Sequence, residues 1–358
     1  KTKTKTNILC SGYFGVHHNF EQKGINAYRP FWSSHDFRRW KFDIKILYSY
    51  LRVQILFSLS GINDLESKKS MHLIKMLKER FRNWLVENNV KGVVLPGDTE
   101  FYSKLCISLC KELNIPTFIF IHGIPAIYYK YNDNSTDYIV VWSDRIKKEY
   151  VNCGFAEDKI IVSGRPQFSG KMKQNIKFCL DDILVCTKGL NQIPYYINEN
   201  VIISDRGNTF LYLEDIKKAL LKIGIKKVRL RNHPGESSEW YIKHIDNNFF
   251  EIDRLKLDDS LKKSTLVIGP TSTLLFDVVS RGINYLAYEP EVNGNDLYNY
   301  PIAWPFVKTN DKIPLARNEK ELLTLLNENS TIDNTIIDDL VADEFDISHV
   351  VSIIKDNK

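Results

Sequence analysis

The chain has 358 residues, of which 43% are hydrophobic and 26% charged, and its formal net charge is +5. That length exceeds one ordinary hydrophobic core, so about two domains are expected, and the composition excludes disordered and fibrous chains. The charge is too low for the dense basic surface of a nucleic-acid binder, and it suits a small anionic ligand or an anionic membrane surface.

The first apolar run, 7–10, predicts a strand and breaks at Ser11-Gly12, too early for a signal peptide behind the basic Lys1–Thr6 segment. A helix is expected over 37–59; Lys45, Arg52 and Gln54 interrupt its apolar part, so it does not span a bilayer. A second helix over 70–88 carries Met71, Ile74, Leu77, Phe81 and Leu85 on one stripe. Strands follow at 92–95, 117–121, 138–141 and 160–162, with helices at 100–113 and 144–153 between them. The strands end in Pro96-Gly97-Asp98, His122-Gly123, Trp142-Ser143 and, after 160–162, Gly164-Arg165-Pro166. The pattern then restarts, with strands at 183–186, 227–230, 265–268 and 284–288 and helices at 213–223, 257–262 and 273–281. From 319 onward the chain reads as two or three helices. The six scattered cysteines form no C-x-x-C pair, as in a reduced cytosolic protein.

Alternation of strand and helix in two blocks predicts an α/β chain of two Rossmann-like, doubly wound domains facing across a cleft. Their expected extents are 1–170 and 180–320, with 321–358 as C-terminal helices and a linker near 167–181.

Open α/β sheets hold ligands at the carboxyl ends of their strands, so the loops there carry the functional candidates. Gly269-Pro270-Thr271-Ser272-Thr273 combines close backbone approach, a stiffened turn and three hydroxyls at a helix start, an arrangement able to hold a phosphate without a metal. A plain Ser/Thr helix cap is the bland alternative. His233-Pro234 follows the basic strand holding Arg229 and Arg231, and its imidazole can present an N–H to a phosphate oxygen. Arg231 or Lys188 is expected to supply fixed positive charge there. In the first block, Asp98 and His122 are the candidates for taking a proton from an attacking hydroxyl, and Asp98 competes with a helix-capping role. His17-His18 is a weaker pair. No Walker phosphate loop, G-x-G-x-x-G, H-E-x-x-H or G-x-S-x-G occurs, and no metal site is expected. The aromatic and basic stretch from Phe31-Trp32 through Arg38-Arg39-Trp40-Lys41 into 44–59 suits an anionic membrane or a large acceptor, although helix packing also explains its aromatics.

His233-Pro234 and Thr271-Ser272-Thr273 resemble the His-Pro and Ser-Ser/Thr motifs of bacterial sialyl-, polysialyl- and Kdo transferases, which are GT-B glycosyltransferases using CMP-activated 2-keto sugar acids. The resemblance rests on 228–290, under a fifth of the chain. It implies a GT-B fold and that His233, Ser272 and Thr273 bind the CMP phosphate, while Glu289 sits where such enzymes often hold the nucleotide ribose. The acidic-acidic-Gly motif that carries the base in sialyltransferases is missing, and Pro96-Gly-Asp-Thr-Glu100 is the nearest substitute. His122-Gly123 and Gly164-Arg-Pro166 are also similar to the wider group with capsule Kdo and CDP-glycerol transferases. The implied partners are a nucleotide sugar, with no further cofactor, and a glycan or lipid-linked glycan of a bacterial surface. The implied location is cytoplasmic, with peripheral contact at the inner membrane face. UDP- or GDP-sugar transferases, CDP-glycerol transferases and nucleotide-sugar 2-epimerases of the same fold are the alternatives.

Overall fold

Short apolar runs of four to six residues, too short for buried helices and bounded by polar turns, are what strands covered on both faces require. They form the two sheets of the structure. The computed structural model describes residues 6–11, 14–32, 44–59, 67–125, 128, 136–166, 168, 175–189, 195–197, 200–202, 206–291, 295–296 and 302–357.

Two compact units divide the chain. The first comprises Lys1–His122, Tyr129–Ser169 and Ala342–Lys358. Its strands are β1 (Asn7–Cys10), β2 (Asn26–Tyr28), β3 (Val90–Leu95), β4 (Thr117–Phe120), β5 (Tyr138–Val141) and β6 (Ile160–Val162). All neighbours pair in parallel, in the order β2-β1-β3-β4-β5-β6. Its described helices are α1 (Val16–Gln22), α2 (Ile44–Leu59), α3 (Lys68–Glu87), α4 (Phe101–Leu113), α5 (Asp144–Asn152) and the terminal Ser348–Asp356. Of the helix expected over 37–59, residues 37–43 lie outside the described residues. No helix among the described residues is long and apolar enough to cross a membrane.

The second unit comprises Gly123–Tyr128 and Gly170–Val341. Its main sheet holds β7 (Ile183–Cys186), β10 (Val228–Arg231), β11 (Phe250–Ile252), β12 (Leu266–Gly269), β13 (Asn284–Tyr288) and β14 (Leu315–Ala316). These run parallel in the order β11-β10-β7-β12-β13-β14, and β8 (Tyr195–Ile197) pairs antiparallel with β9 (Asn200–Ile202). The first three main-sheet strands add outward on one side and the next three on the other, so the topological switch point falls between β7 and β12. Its helices are α6 (Arg206–Lys222), α7 (Ser238–His244), α8 (Leu257–Lys263), α9 (Leu274–Val279), α10 (Glu319–Asn327) and α11 (Ile336–Leu340), which makes Ser348–Asp356 α12.

The expected segment of C-terminal helices over 321–358 is not a separate block. Helix α12 belongs to the first unit, where Val350, Val351 and Ile354 join Ile8, Cys10, Val94 and Phe118 in one core cluster. Gly92 lets it seat closely, since a Cβ there would meet Ile354 Cγ1 at 2.8 Å. Helices α10 and α11 stay with the second unit.

Candidate functional site

In the second unit, the loops that follow β10, β7 and β12 leave three adjacent parallel strands at their carboxyl ends, flanking the switch point. Two successive residues of the central loop tie the outer loops to it. Thr187 Oγ1 accepts the backbone N–H of His233 at 2.9 Å, and Lys188 Nζ donates to Thr271 Oγ1 at 2.8 Å. The His-Pro and Gly-Pro-Thr-Ser-Thr segments, far apart in sequence, are thus anchored on neighbouring residues.

The His233 turn is built by its own sequence. Glu236 N–H donates to the His233 carbonyl at 2.9 Å, closing a four-residue turn with Pro234 at the second position, where its fixed φ is preorganised. The Glu236 carboxylate is buried and accepts from the Thr187 hydroxyl and, at 3.1 Å, from the His233 backbone. The Gly235 N–H donates to His233 Nδ1 at 3.1 Å. With Nδ1 occupied as an acceptor, the neutral ring carries its proton on Nε2. His233 and Pro234 are exposed, so the turn presents a ring N–H donor of fixed tautomer.

At the β12 end, each of the three hydroxyls has a distinct partner. Thr271 donates from both its backbone N–H (3.0 Å) and its Oγ1 (2.6 Å) to Glu289 Oε2. Ser272 Oγ accepts from Leu274 N at 3.3 Å, and Thr273 Oγ1 accepts from Ile124 N at 3.0 Å. The Ser272 and Thr273 oxygens therefore act as backbone acceptors, and their O–H protons are the groups that an anion can receive. Gly123 must lack a Cβ, which would come within 2.3 Å of Thr273 Oγ1. Gly269 is constrained likewise: a Cβ would lie 2.4 Å from Tyr285 Oη, whose hydroxyl donates to the Pro270 carbonyl at 2.5 Å.

Lys188 and Arg231 were expected as fixed charges, and both are engaged within the protein. Lys188 matches its three N–H donors to Thr271, Glu289 Oε2 at 2.8 Å and Asp296 Oδ2 at 2.6 Å. A phosphate contact by Lys188 thus requires exchange of one of these acceptors. Arg231 donates to the Leu255 carbonyl at 2.8 Å and lies 3.5 Å from Asp253, so it braces the loop after β11. Glu289 is fully buried; instead of lying open to a ribose, it forms the floor that holds Lys188 and Thr271. Beside this floor lies a recess where Thr271, Ser272 and Asp296 meet the apolar side chains of Ile302, Ala303 and Phe306. The sequence did not single out Thr187, Glu236 or Asp296. Only the position of Thr187 and Glu236 beside marked motifs could have pointed to two of them.

In the first unit, Asp98 and His122 follow the adjacent strands β3 and β4. Asp98 does not cap α4: the residue before that helix is Glu100, which makes no side-chain capping bond. Asp98 is buried, and burial raises its carboxyl above the usual carboxylate range, against backbone hydrogen bonds and the Lys104 charge, which lower it. The His122 side chain is exposed in part, yet the protein packed around the ring pushes its pKa below the ordinary histidine value. Both shifts favour the neutral forms. On the same edge the Arg165 guanidinium lies 5.1 Å from the Phe14 ring and 5.2 Å from the Trp142 ring. The His17 and His18 rings lie 4.0 Å apart on α1, tilted by 40°, with His17 buried.

The chain matches no protein-family model, and no curated protein is similar to it. Among solved structures, it is similar to the UDP-N-acetylglucosamine 2-epimerase from Rickettsia bellii, at 11% identity and TM-score 0.51 over 98% of this chain and 95% of that one. The UDP-GlcNAc 2-epimerase from Methanocaldococcus jannaschii aligns at 11% identity and TM-score 0.50, over 98% and 99% of the two chains. Acinetobacter baumannii MurG aligns at 11% identity and TM-score 0.49, over 98% and 99%. The fold is α/β of the GT-B type, with two Rossmann-like units.

Proposed function

We propose that this chain is a glycosyltransferase that works without a metal and moves a 2-keto acid sugar, of the Kdo or sialic acid kind, from a CMP donor to a glycan of a bacterial surface. The observation that carries the reading is the tie between the two motif loops: His233 is fixed through Thr187 and Thr271 through Lys188, at the switch point where open α/β sheets hold nucleotides. His233 Nε2–H and the hydroxyls of Ser272 and Thr273 would donate to the phosphate as CMP leaves, the electrostatic part of the catalysis. Lys188 would contribute once the phosphate takes over one of its carboxylate contacts. Asp98, or His122, would take the proton of the acceptor hydroxyl. A monophosphate leaving group needs less neutralisation than a diphosphate, which fits a site whose cation is already shared with two carboxylates. A lipid-linked acceptor at the inner membrane face completes the reading.

Calorimetric titration of CMP, CDP, UDP and GDP, followed by CMP-Kdo and CMP-sialic acid turnover, tests it. CMP should bind tightest, and His233→Ala should lower turnover at least tenfold, about 1.4 kcal/mol of transition-state stabilisation. Preference for UDP or GDP would replace CMP as the donor nucleotide, and CDP-glycerol turnover would make the group transferred a glycerol phosphate. Conversion of a nucleotide sugar with no acceptor present would identify a 2-epimerase.

A further inference from the structure

Helix α2 turns an apolar strip to solvent. Ile44, Tyr48, Leu51, Ile55 and Leu59 are 81%, 54%, 56%, 57% and 81% exposed, respectively. At 3.6 residues per turn these positions fall within an arc of about 80°, opposite the buried Ile46, Ser49 and Val53. Five large apolar side chains aligned on one helix make a contiguous patch, unlike the single exposed apolar residues common on protein surfaces. The strip is flanked by cations. Lys45 and Arg52 lie along one side, and the Arg52 guanidinium sits 5.6 Å from the Tyr48 ring. The neighbouring α3 is fixed to α2 by Arg80, which donates to the Lys45 carbonyl at 2.8 Å and to the Ser49 hydroxyl. Its solvent face carries Lys68, Lys75 and Arg82.

The charge is concentrated here. Helices α2 and α3 together hold eight Lys and Arg against two Glu, a net of +6 where the whole chain is +5. A second copy docking through this face would set basic surface against basic surface, which disfavours self-association. An apolar helix strip bordered by Lys and Arg, with no acidic residue on α2 itself, matches a surface that is apolar beneath and anionic on top.

We propose that the outer face of α2, with the basic α2–α3 pair beside it, is a docking surface for an anionic phospholipid bilayer. Ile44, Tyr48, Leu51, Ile55 and Leu59 enter the headgroup–acyl boundary, and the cations meet lipid phosphates. This goes beyond the nucleotide reading and does not depend on it.

Flotation of the full chain with phosphatidylcholine vesicles, with and without about 30% phosphatidylglycerol, tests the surface. Binding is expected to the anionic vesicles, to be at least about tenfold weaker to the neutral ones, and to fall as salt rises. Leu51→Ser with Ile55→Ser, and separately Lys68→Glu with Lys75→Glu, should each weaken it by about tenfold or more. All four positions are exposed, so far-UV circular dichroism and melting temperature should stay as in the parent. A variant that melts early is replaced by Leu51→Gln with Ile55→Gln. CMP affinity should be unchanged in every variant, which separates this outcome from failure of the nucleotide assignment. No vesicle binding, equal binding to neutral and anionic vesicles, or binding indifferent to both variant pairs overturns the proposal. So does concentration-dependent self-association that the Leu51/Ile55 changes abolish.

Discussion

Removing the Lys188 ammonium should cost far more than removing an ordinary lysine. Its partners Glu289 and Asp296 are 0% and 6% exposed, and the lysine itself is only 12% exposed. Losing one partner of a buried ion pair typically costs about 3–5 kcal/mol, because the remaining charge stays buried and uncompensated. Lys188→Met keeps most of the stem volume and leaves two buried carboxylates without their ammonium, although the buried Arg317 charge still acts on both, so a loss toward the lower end of that range is expected for the second unit. Domains are stable by only about 5–15 kcal/mol, so the loss is a large share of the total. Hydrogen exchange at the amides of β7, β12 and β13 reads this unit without averaging over the other. A triple variant, Lys188→Met with Glu289→Gln and Asp296→Asn, removes all three charges at nearly constant shape and should recover most of the protection. CMP titration of that triple variant then isolates the direct contribution of the ammonium to phosphate binding. A Lys188→Met change in protection below about 1 kcal/mol, the level of an exposed pair, would refute the account of Lys188 as the neutralising centre of the site.

Gly269→Ala should destabilise the second unit by about 1–3 kcal/mol through the clash with Tyr285 Oη, and Tyr285→Phe in the same chain should return part of the loss. A melting temperature unchanged by Gly269→Ala would contradict it. Asp98→Asn should stabilise the chain at neutral pH. Burial raises the folded-state pKa of this acid above its ordinary 3.8, so the wild type loses stability as pH rises through that window, and the asparagine does not. The gain should vanish below about pH 4, and melting curves from pH 4 to 8 that run parallel in the two proteins would count against it. If Asp98 is also the base, turnover falls while stability rises. Glu236→Gln should loosen the His233 turn and weaken CMP binding by about fivefold, roughly 1 kcal/mol for a hydrogen bond to a buried carboxylate; unchanged affinity would show that the turn holds without it.

What the sequence made legible divides by sequence separation. The central strands β3, β4, β7, β12 and β13 could be read because each is a continuous apolar run closed by a turn, and a parallel sheet buries both faces of such a run. The edge strands β2, β11 and β14 were not, since Asn-Ala-Tyr, Phe-Glu-Ile and Leu-Ala are too short to show any period. The amphipathic stripe of α12 says that it packs on something; what that is depends on residues hundreds of positions earlier, Ile8, Val94 and Phe118 with the close approach at Gly92.

The same division runs through the candidate site. His233 and the 271–273 hydroxyls could be marked as candidates because they follow strands and their chemistry is local. The charge state of the site could not be read, because it rests on contacts linking 188, 271, 289 and 296. Read singly, Lys188 and Arg231 are cations awaiting a phosphate. In the fold, each is already paired with carboxylate, and the motif side chains add an imidazole N–H at Nε2 and two hydroxyl protons as candidate donors. The proposed phosphate would be held there mainly by directed hydrogen bonds. Its affinity should therefore depend on turn geometry, and so on Thr187 and Glu236, more steeply than on ionic strength. The α2 surface, where the cations are exposed and the net charge of the chain is gathered, should show the opposite dependence.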